Sequence, residues 1–177
     1  MTRPRLATVW LDGCSGCHMS VLDMDERLLD ITARADLVYS PLVDAKVFPD
    51  AVDVTLVEGA VSTTDDLRRA HEVRARTRVL VSLGDCAVTS NVPGMRNPYG
   101  PVPLLERAFV DNVAHNPQLP GAPVPALLPR SRPLHEIVEV DVFVPGCPPD
   151  ADLIYRVIDE LLHRRMPDTS RVSRFGR

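Results

Sequence analysis

Two cysteines three positions apart, Cys14 and Cys17, sit where an apolar run breaks off in Trp10-Leu11-Asp12-Gly13-Cys14-Ser15-Gly16-Cys17. Two intervening residues, one of them Gly16, let the chain fold back so that both thiolates reach one metal centre. That is half of a four-thiolate site. Cys86 and Cys147, the remaining cysteines of the chain, are the candidates for the other half. Structural zinc sites usually draw two close pairs from small knuckles, whereas these two stand alone, about sixty residues apart. An iron-sulfur cubane presents four separate irons and accepts one pair plus remote single ligands. The Cys147-Pro148 step is also seen at ferredoxin-type ligands. Four cysteinates leave such a cubane with net negative charge. Amides at the start of a helix after Ser15, and at the turns containing Gly13, Gly84 and Gly146, can stabilise that charge. The chemistry is one-electron transfer, with a zinc-stabilised interaction module as the alternative.

The elements that would position these thiols alternate between strand and helix. Leu6 to Leu11 is almost wholly apolar, as a strand buried on both faces of a parallel sheet should be. From Ser15 a helix is expected, with Met19, Leu22, Leu28, Leu29 and Ala33 recurring at helical intervals. Ala35 to Tyr39 reads as a second strand and Asp53 to Val57 as a third, ended by Glu58-Gly59. Ser62 or Thr63 can cap the next helix, which carries Asp65 and Asp66 first and Arg74 and Arg76 last, the polarity a helix dipole favours. Arg78 to Leu83 is the fourth strand, broken at Gly84-Asp85-Cys86. Val138 to Val144 is the fifth, with the alternation of an edge strand, ending at Pro145-Gly146-Cys147-Pro148-Pro149. Asp150 caps a final helix whose buried face is Leu153, Ile154, Val157, Ile158, Leu161 and Leu162.

This order predicts an α/β fold, a flavodoxin-like doubly wound parallel sheet in a single domain spanning 1–177. Right-handed crossovers place all the strands' carboxyl ends along one edge, so Cys14, Cys17, Glu58, Cys86 and Cys147 all fall where ligands collect. Between residues 92 and 134 lie ten of the 17 prolines. Proline removes amide donors, so this connection supplies no central strand and is expected to wrap a surface or meet a partner, with one short helix near Pro103 to Asn112. A basic, loose tail is expected at 163–177. The net charge of -4, with no basic stripe, excludes an evident nucleic-acid partner. No apolar stretch reaches membrane-spanning length and no signal segment opens the sequence, so a cytoplasmic protein is expected. In that reducing compartment four cysteines suit ligands or core residues better than disulfides.

The motifs resemble those of the small subunits of nickel-iron hydrogenases, in particular of soluble NAD-reducing hydrogenases. The residues that carry the resemblance are Trp10 to Cys17, Glu58-Gly59-Ala60-Val61, Gly84-Asp85-Cys86-Ala87 with Asn91-Val92-Pro93-Gly94-Met95-Arg96-Asn97, and Val144 to Pro149. The resemblance implies that Cys14, Cys17, Cys86 and Cys147 hold one [4Fe-4S] cluster, proximal to a nickel-iron site carried by a separate large subunit. It implies an electron-transfer role in an oxidoreductase, with electrons passing to a diaphorase that bears further clusters and FMN and reduces NAD+. Longer small subunits add a C-terminal region with more cluster ligands and a twin-arginine signal, which are not found here. The similar subunit of respiratory complex I, a quinone-linked alternative, has adjacent cysteines where this sequence has Cys14-Ser15-Gly16-Cys17.

Flavodoxin-like sheets also bind FMN along this edge, but Cys14 and Cys17 occupy the turn that would hold its phosphate. FMN is therefore not supported by a motif. Glu58 has two readings, a proton acceptor or ligand beside the cluster, or a carboxylate capping a turn. His18 reads as a helix-face histidine or as a hydrogen-bonding group near the cluster. His71, His115, His135 and His163 read as surface or packing residues, Asp12 as a turn residue, and Met19 and Met24 as core or interface packing. Trp10 reads as a shield for the cluster or as a residue buried in the sheet.

Overall fold

The computed structural model describes residues 3–169. Its chain order is β1 (Arg5–Trp10), α1 (Gly16–Leu22), α2 (Arg27–Arg34), β2 (Asp36–Tyr39), β3 (Val52–Glu58), β4 (Val61–Thr63), α3 (Thr64–Arg76), β5 (Thr77–Leu83), α4 (Gly84–Thr89), α5 (Asn91–Gly94), α6 (Pro101–Glu106), β6 (Leu127–Arg132), β7 (Val142–Val144) and α7 (Ala151–Leu162). Five strands form one parallel sheet in the order β2-β1-β3-β5-β7, the flavodoxin-like arrangement expected from the alternation.

Successive residues of a strand point to opposite faces, so an almost wholly apolar strand feeds two cores. Leu6, Val54, Leu56, Val81 and Val142 face α1, α2 and α7, whereas Ala7, Val9, Val57 and Leu80 face α3. The sheet is therefore covered on both sides. The register decides what the rim looks like: Trp10 lies opposite Glu58, Glu58 opposite Leu83 and Leu83 opposite Val144. Four neighbouring strands thus end level, and the loops after them rise from one line.

The local structure departs from expectation at four places. The helix after Ser15 is two helices, because Asp25 adopts a left-handed φ of 49° between them. The break also rotates the buried face: Val21, Met24 and Ile31 are buried, whereas Met19 at 55% and Leu29 at 73% are exposed. The fifth strand is only Val142–Val144, at the sheet edge as expected. Ahead of it the Asp141 carboxylate accepts the Leu80 amide at 2.7 Å, taking a donor that a longer ladder would use, and Val138 closes a turn back onto Leu134.

The proline-rich connection holds β6, which pairs antiparallel with β4 in a separate two-stranded sheet, and its helix runs Pro101–Glu106 into a wide π turn at Arg107–Asp111. The start of the basic tail is tied down: Arg165 pairs with Glu160, and the Thr169 hydroxyl donates to Phe143 O at 2.8 Å. Residues 170–177 lie outside the described residues. Among the described residues no helix is long and apolar enough to cross a membrane.

Both expected caps are present. Asp150 accepts the Leu153 amide at 3.1 Å, and Thr63 forms a reciprocal capping box with Asp66 at the start of α3. Replacing Thr63 with alanine removes one half of that box, and the expected loss is about 1 kcal/mol of stability. Urea denaturation of the Thr63→Ala protein checks it.

Candidate metal centre

Cys14 lies in the loop after β1, Cys17 in the first turn of α1, Cys86 in α4 directly after β5, and Cys147 in the turn after β7. All four therefore leave the level carboxyl rim of the sheet. Cys17 is buried and Cys86 half-buried, whereas Cys14 and Cys147 are exposed, so the group opens on the surface.

Close packing holds the loops against one another. Gly84 has φ +81°, and a Cβ there would lie 2.2 Å from Cys17 Sγ, so a side chain at 84 would occupy the space of the thiol. Gly13 approaches the chain at Gly59, where an added Cβ would lie 3.3 Å from Gly59 Cα. The Cys86 and Cys147 loops are clipped in both directions, because the Asp85 amide donates to Gly146 O at 2.8 Å and the Gly146 amide donates to Asp85 Oδ1 at 2.7 Å. The Ser20 hydroxyl donates to Pro149 O at 2.5 Å and joins α1 to the Cys147 turn.

Glu58, at the end of β3 and only 1% exposed, is the anchor for α1. Its carboxylate accepts the backbone amides of His18 at 2.9 Å and Cys17 at 3.4 Å, and it is hydrogen-bonded to His18 Nδ1. The His18 ring is buried at 4% exposure. On its other side His18 Nε2 lies 3.0 Å from the Thr8 hydroxyl, within hydrogen-bond distance, and Thr8 meets the Ser40 hydroxyl at 2.7 Å. The result is a buried chain of hydrogen bonds from Glu58 through His18 and Thr8 to Ser40.

These contacts redirect donors that the sequence assigned to a cluster. Two amides at the start of α1 go to Glu58, and the Gly146 amide goes to Asp85. His18 is a buried partner of a carboxylate rather than a helix-face residue. Trp10 is not buried in the sheet: it is 49% exposed, and its Nε1 donates to Gly13 O at 3.2 Å, beside Cys14. Met24 is core and Met19 is surface. Thr8, Ser40 and Asp85 escape a reading of the sequence. Their one signal is polarity inside otherwise apolar or turn segments, which does not reveal a partner tens of residues away.

Two of the thiols, Cys17 and Cys86, are held protonated by their surroundings. Burial, then Glu58, then the charges of Cys86, Cys14 and Cys147 push the Cys17 thiol far up from the ordinary value of 9.0. Cys86 is raised to about 11, first by burial and further by Cys14, Cys147 and Glu58, against a lowering hydrogen bond from the Val92 amide. Among the described residues, no three His, Cys, Asp or Glu groups close on one point as a single ion would require. A multi-iron centre does not need that convergence, since each of its irons takes its own thiolate. Four soft sulfur donors on one rim fit such a centre.

Beside the cysteines runs a groove of about 1160 Å³ that starts at Asp12 and is lined by Val92, Met95, Tyr99, Leu104 and Leu119. Val92, Met95 and Tyr99 are strongly exposed for their size and polarity.

Residues 14–161 match the family described as NADH ubiquinone oxidoreductase, 20 kDa subunit. The chain is similar to the delta subunit of the NAD-reducing hydrogenase HoxS of Cupriavidus necator, 38% identical over 91% of this chain and 79% of that protein. It is 37% identical to a subunit of the F420-non-reducing hydrogenase of Methanothermobacter marburgensis, over 89% of this chain but only 53% of that longer relative. A crystal structure of an NAD+-reducing [NiFe]-hydrogenase in the H2-reduced state superposes with a TM-score of 0.90 at 37% identity, covering 94% of this chain and 95% of that one. A reduced Ni-Fe-Se hydrogenase of Desulfomicrobium baculatum shares the fold, with a TM-score of 0.60 at 17% identity over 94% of this chain and 67% of that one.

Raised thiol values have a consequence for the metal-free chain. Folded Cys17 and Cys86 keep their protons above pH 9.0, where unfolded thiols release theirs, so their contribution to stability is full below that value and declines as pH rises. The urea midpoint of chelator-stripped, reduced protein is expected to fall between about pH 8 and about pH 10, and to fall less steeply in Cys17→Ser.

Proposed function

The chain belongs to the NADH ubiquinone oxidoreductase 20 kDa subunit family, and on that premise we propose that it is the electron-transfer small subunit of an NAD-reducing nickel-iron hydrogenase. Cys14, Cys17, Cys86 and Cys147 would hold one [4Fe-4S] cluster at the carboxyl rim. The chemistry that cluster supplies is one-electron transfer. The single observation that carries the reading is the placement of all four cysteines on segments that leave one rim built from level strand ends.

The chain's own residues perform defined tasks in this reading. Gly84 clears the space that Cys17 Sγ fills, and Glu58 pins the first turn of α1 so that Cys17 keeps its place. The Asp85 clip holds the Cys86 and Cys147 loops in register. Cys14 and Cys147 leave one side of the group at the surface, where a redox partner can approach. The adjoining groove, with Asp12 at its margin, is the candidate contact for the large subunit that bears the nickel-iron site. Electrons would leave to diaphorase subunits carrying further clusters and FMN, in the cytoplasm. The Cys-x-x-Cys spacing and the hydrogenase relatives favour this branch over a quinone-linked one. FMN on this chain is not supported by a motif, since Cys14 and Cys17 take the places in the turn after β1 where a phosphate-binding sequence would stand.

Purified with its co-eluting subunits, the complex is expected to reduce NAD+ with hydrogen. The chain itself should contribute broad visible absorption that bleaches on reduction, with about four irons and four acid-labile sulfides. Cys17→Ser should cost at least about tenfold in hydrogen-dependent NAD+ reduction and lower the iron content. Zinc in place of iron, or flavin fluorescence traced to this chain, would overturn the assignment.

A further inference from the structure

Asn91 has no task in the reading above, although it opens the run Asn91-Val92-Pro93-Gly94-Met95-Arg96-Asn97. Its side-chain Nδ2 donates toward Cys147 Sγ at 3.5 Å. The turn therefore aims a side-chain N–H donor at one of the four sulfurs.

The turn is held where it is. Ser90 and Asn91 have φ of 66° and 21°, in the region that asparagine tolerates better than most residues. The Ser90 amide donates to Cys86 O at 3.0 Å and the Gly94 amide to Ser90 O at 2.8 Å. Downstream, the Arg96 guanidinium donates to Leu128 O at 3.0 Å and Ser62 O at 3.1 Å. Asn97 is doubly bonded to Ser131, accepting its amide at 2.7 Å and donating to its carbonyl at 2.8 Å. Ser62 and Ser131 belong to β4 and β6, so the small antiparallel sheet is the frame that fixes the turn against the cysteines.

Hydrogen bonds to the sulfurs are one of the levers on the potential of an iron-sulfur centre. An added electron raises the negative charge on the sulfurs, so an N–H donor stabilises the reduced form more than the oxidised form. Here several nearby amides are already committed to carboxylates: those of Cys17 and His18 to Glu58, and that of Gly146 to Asp85. That leaves a larger share of the effect to donors aimed at sulfur.

We propose that Asn91 is a positioning residue for electron transfer: its amide donates to the Cys147 sulfur and thereby raises the reduction potential of the centre. The proposal rests on the four cysteines being the ligands of one cluster. Its test is an EPR-monitored redox titration of the intact complex, following the signal that Cys17→Ser abolishes.

Two variants separate hydrogen bonding from folding. Asn91→Asp keeps the shape and backbone preference but presents no donor and adds a negative charge. Asn91→Gly keeps the positive φ and removes the side chain. Both are expected to retain the iron content of the parent and to shift the midpoint potential in the negative direction, Asp further than Gly. An unchanged or more positive midpoint in either variant with iron intact overturns the proposal, as does a loss of iron in both, which would make the residue structural. Iron absent from the unsubstituted chain instead identifies the four-thiolate assignment as the point of failure and removes both readings.

Discussion

A carboxylate with 1% exposure, at the end of the strand in the middle of the sheet, is the interaction on which the rim depends. Glu58 cannot be buried without donors, because an uncompensated ionised group in a dry interior is strongly disfavoured. It finds them in the first turn of α1, two backbone amides and the imidazole of His18, and in taking them it fixes where the helix starts. Cys17 is in that turn. The polar requirement of one side chain is thereby converted into the position of a sulfur forty-one residues earlier in the chain.

The rest of the rim applies the same logic with different groups. Level strand ends bring the loops to one line, but lines of loops do not by themselves make a site. Glycine at 84 allows the α4 start and the Cys17 thiol to share a space that any Cβ would fill. The paired Asp85 and Gly146 hydrogen bonds then lock the third and fourth cysteine loops to each other. Close packing and satisfied polar groups therefore act together, and the apolar sheet beneath supplies the rigid base.

The segment from Asn91 to Asn97 links this rim to the second sheet. Arg96 and Asn97 attach it to β4 and β6, while Asn91 faces the Cys147 sulfur and Val92, Met95 and Tyr99 line the exposed groove. One stretch thus touches the candidate centre on one side and the candidate partner surface on the other. An electron relay needs such proximity, since its donor and acceptor must both approach the same few atoms.

Much of this is legible in the sequence because it is local. The apolar run Leu6 to Leu11, the glycine breaks before Cys14, Cys86 and Cys147, and the caps Thr63 and Asp150 all depend on residues within a few positions, so strand order and the rim location of the cysteines can be read directly. The pattern after Ser15 misleads because one left-handed residue, Asp25, resets the helical phase and moves burial from Met19 and Leu29 to Met24 and Ile31. Only the tertiary structure decided that His18 faces Glu58, that Asp85 closes on Gly146, and that Asn91 reaches Cys147, pairs separated by 40, 61 and 56 residues. Periodicity and turn chemistry report what a residue does to its neighbours in the chain. Which distant donor meets a buried acceptor is settled by sheet register and by the exclusion of water, and neither of those is a property of any short stretch of sequence.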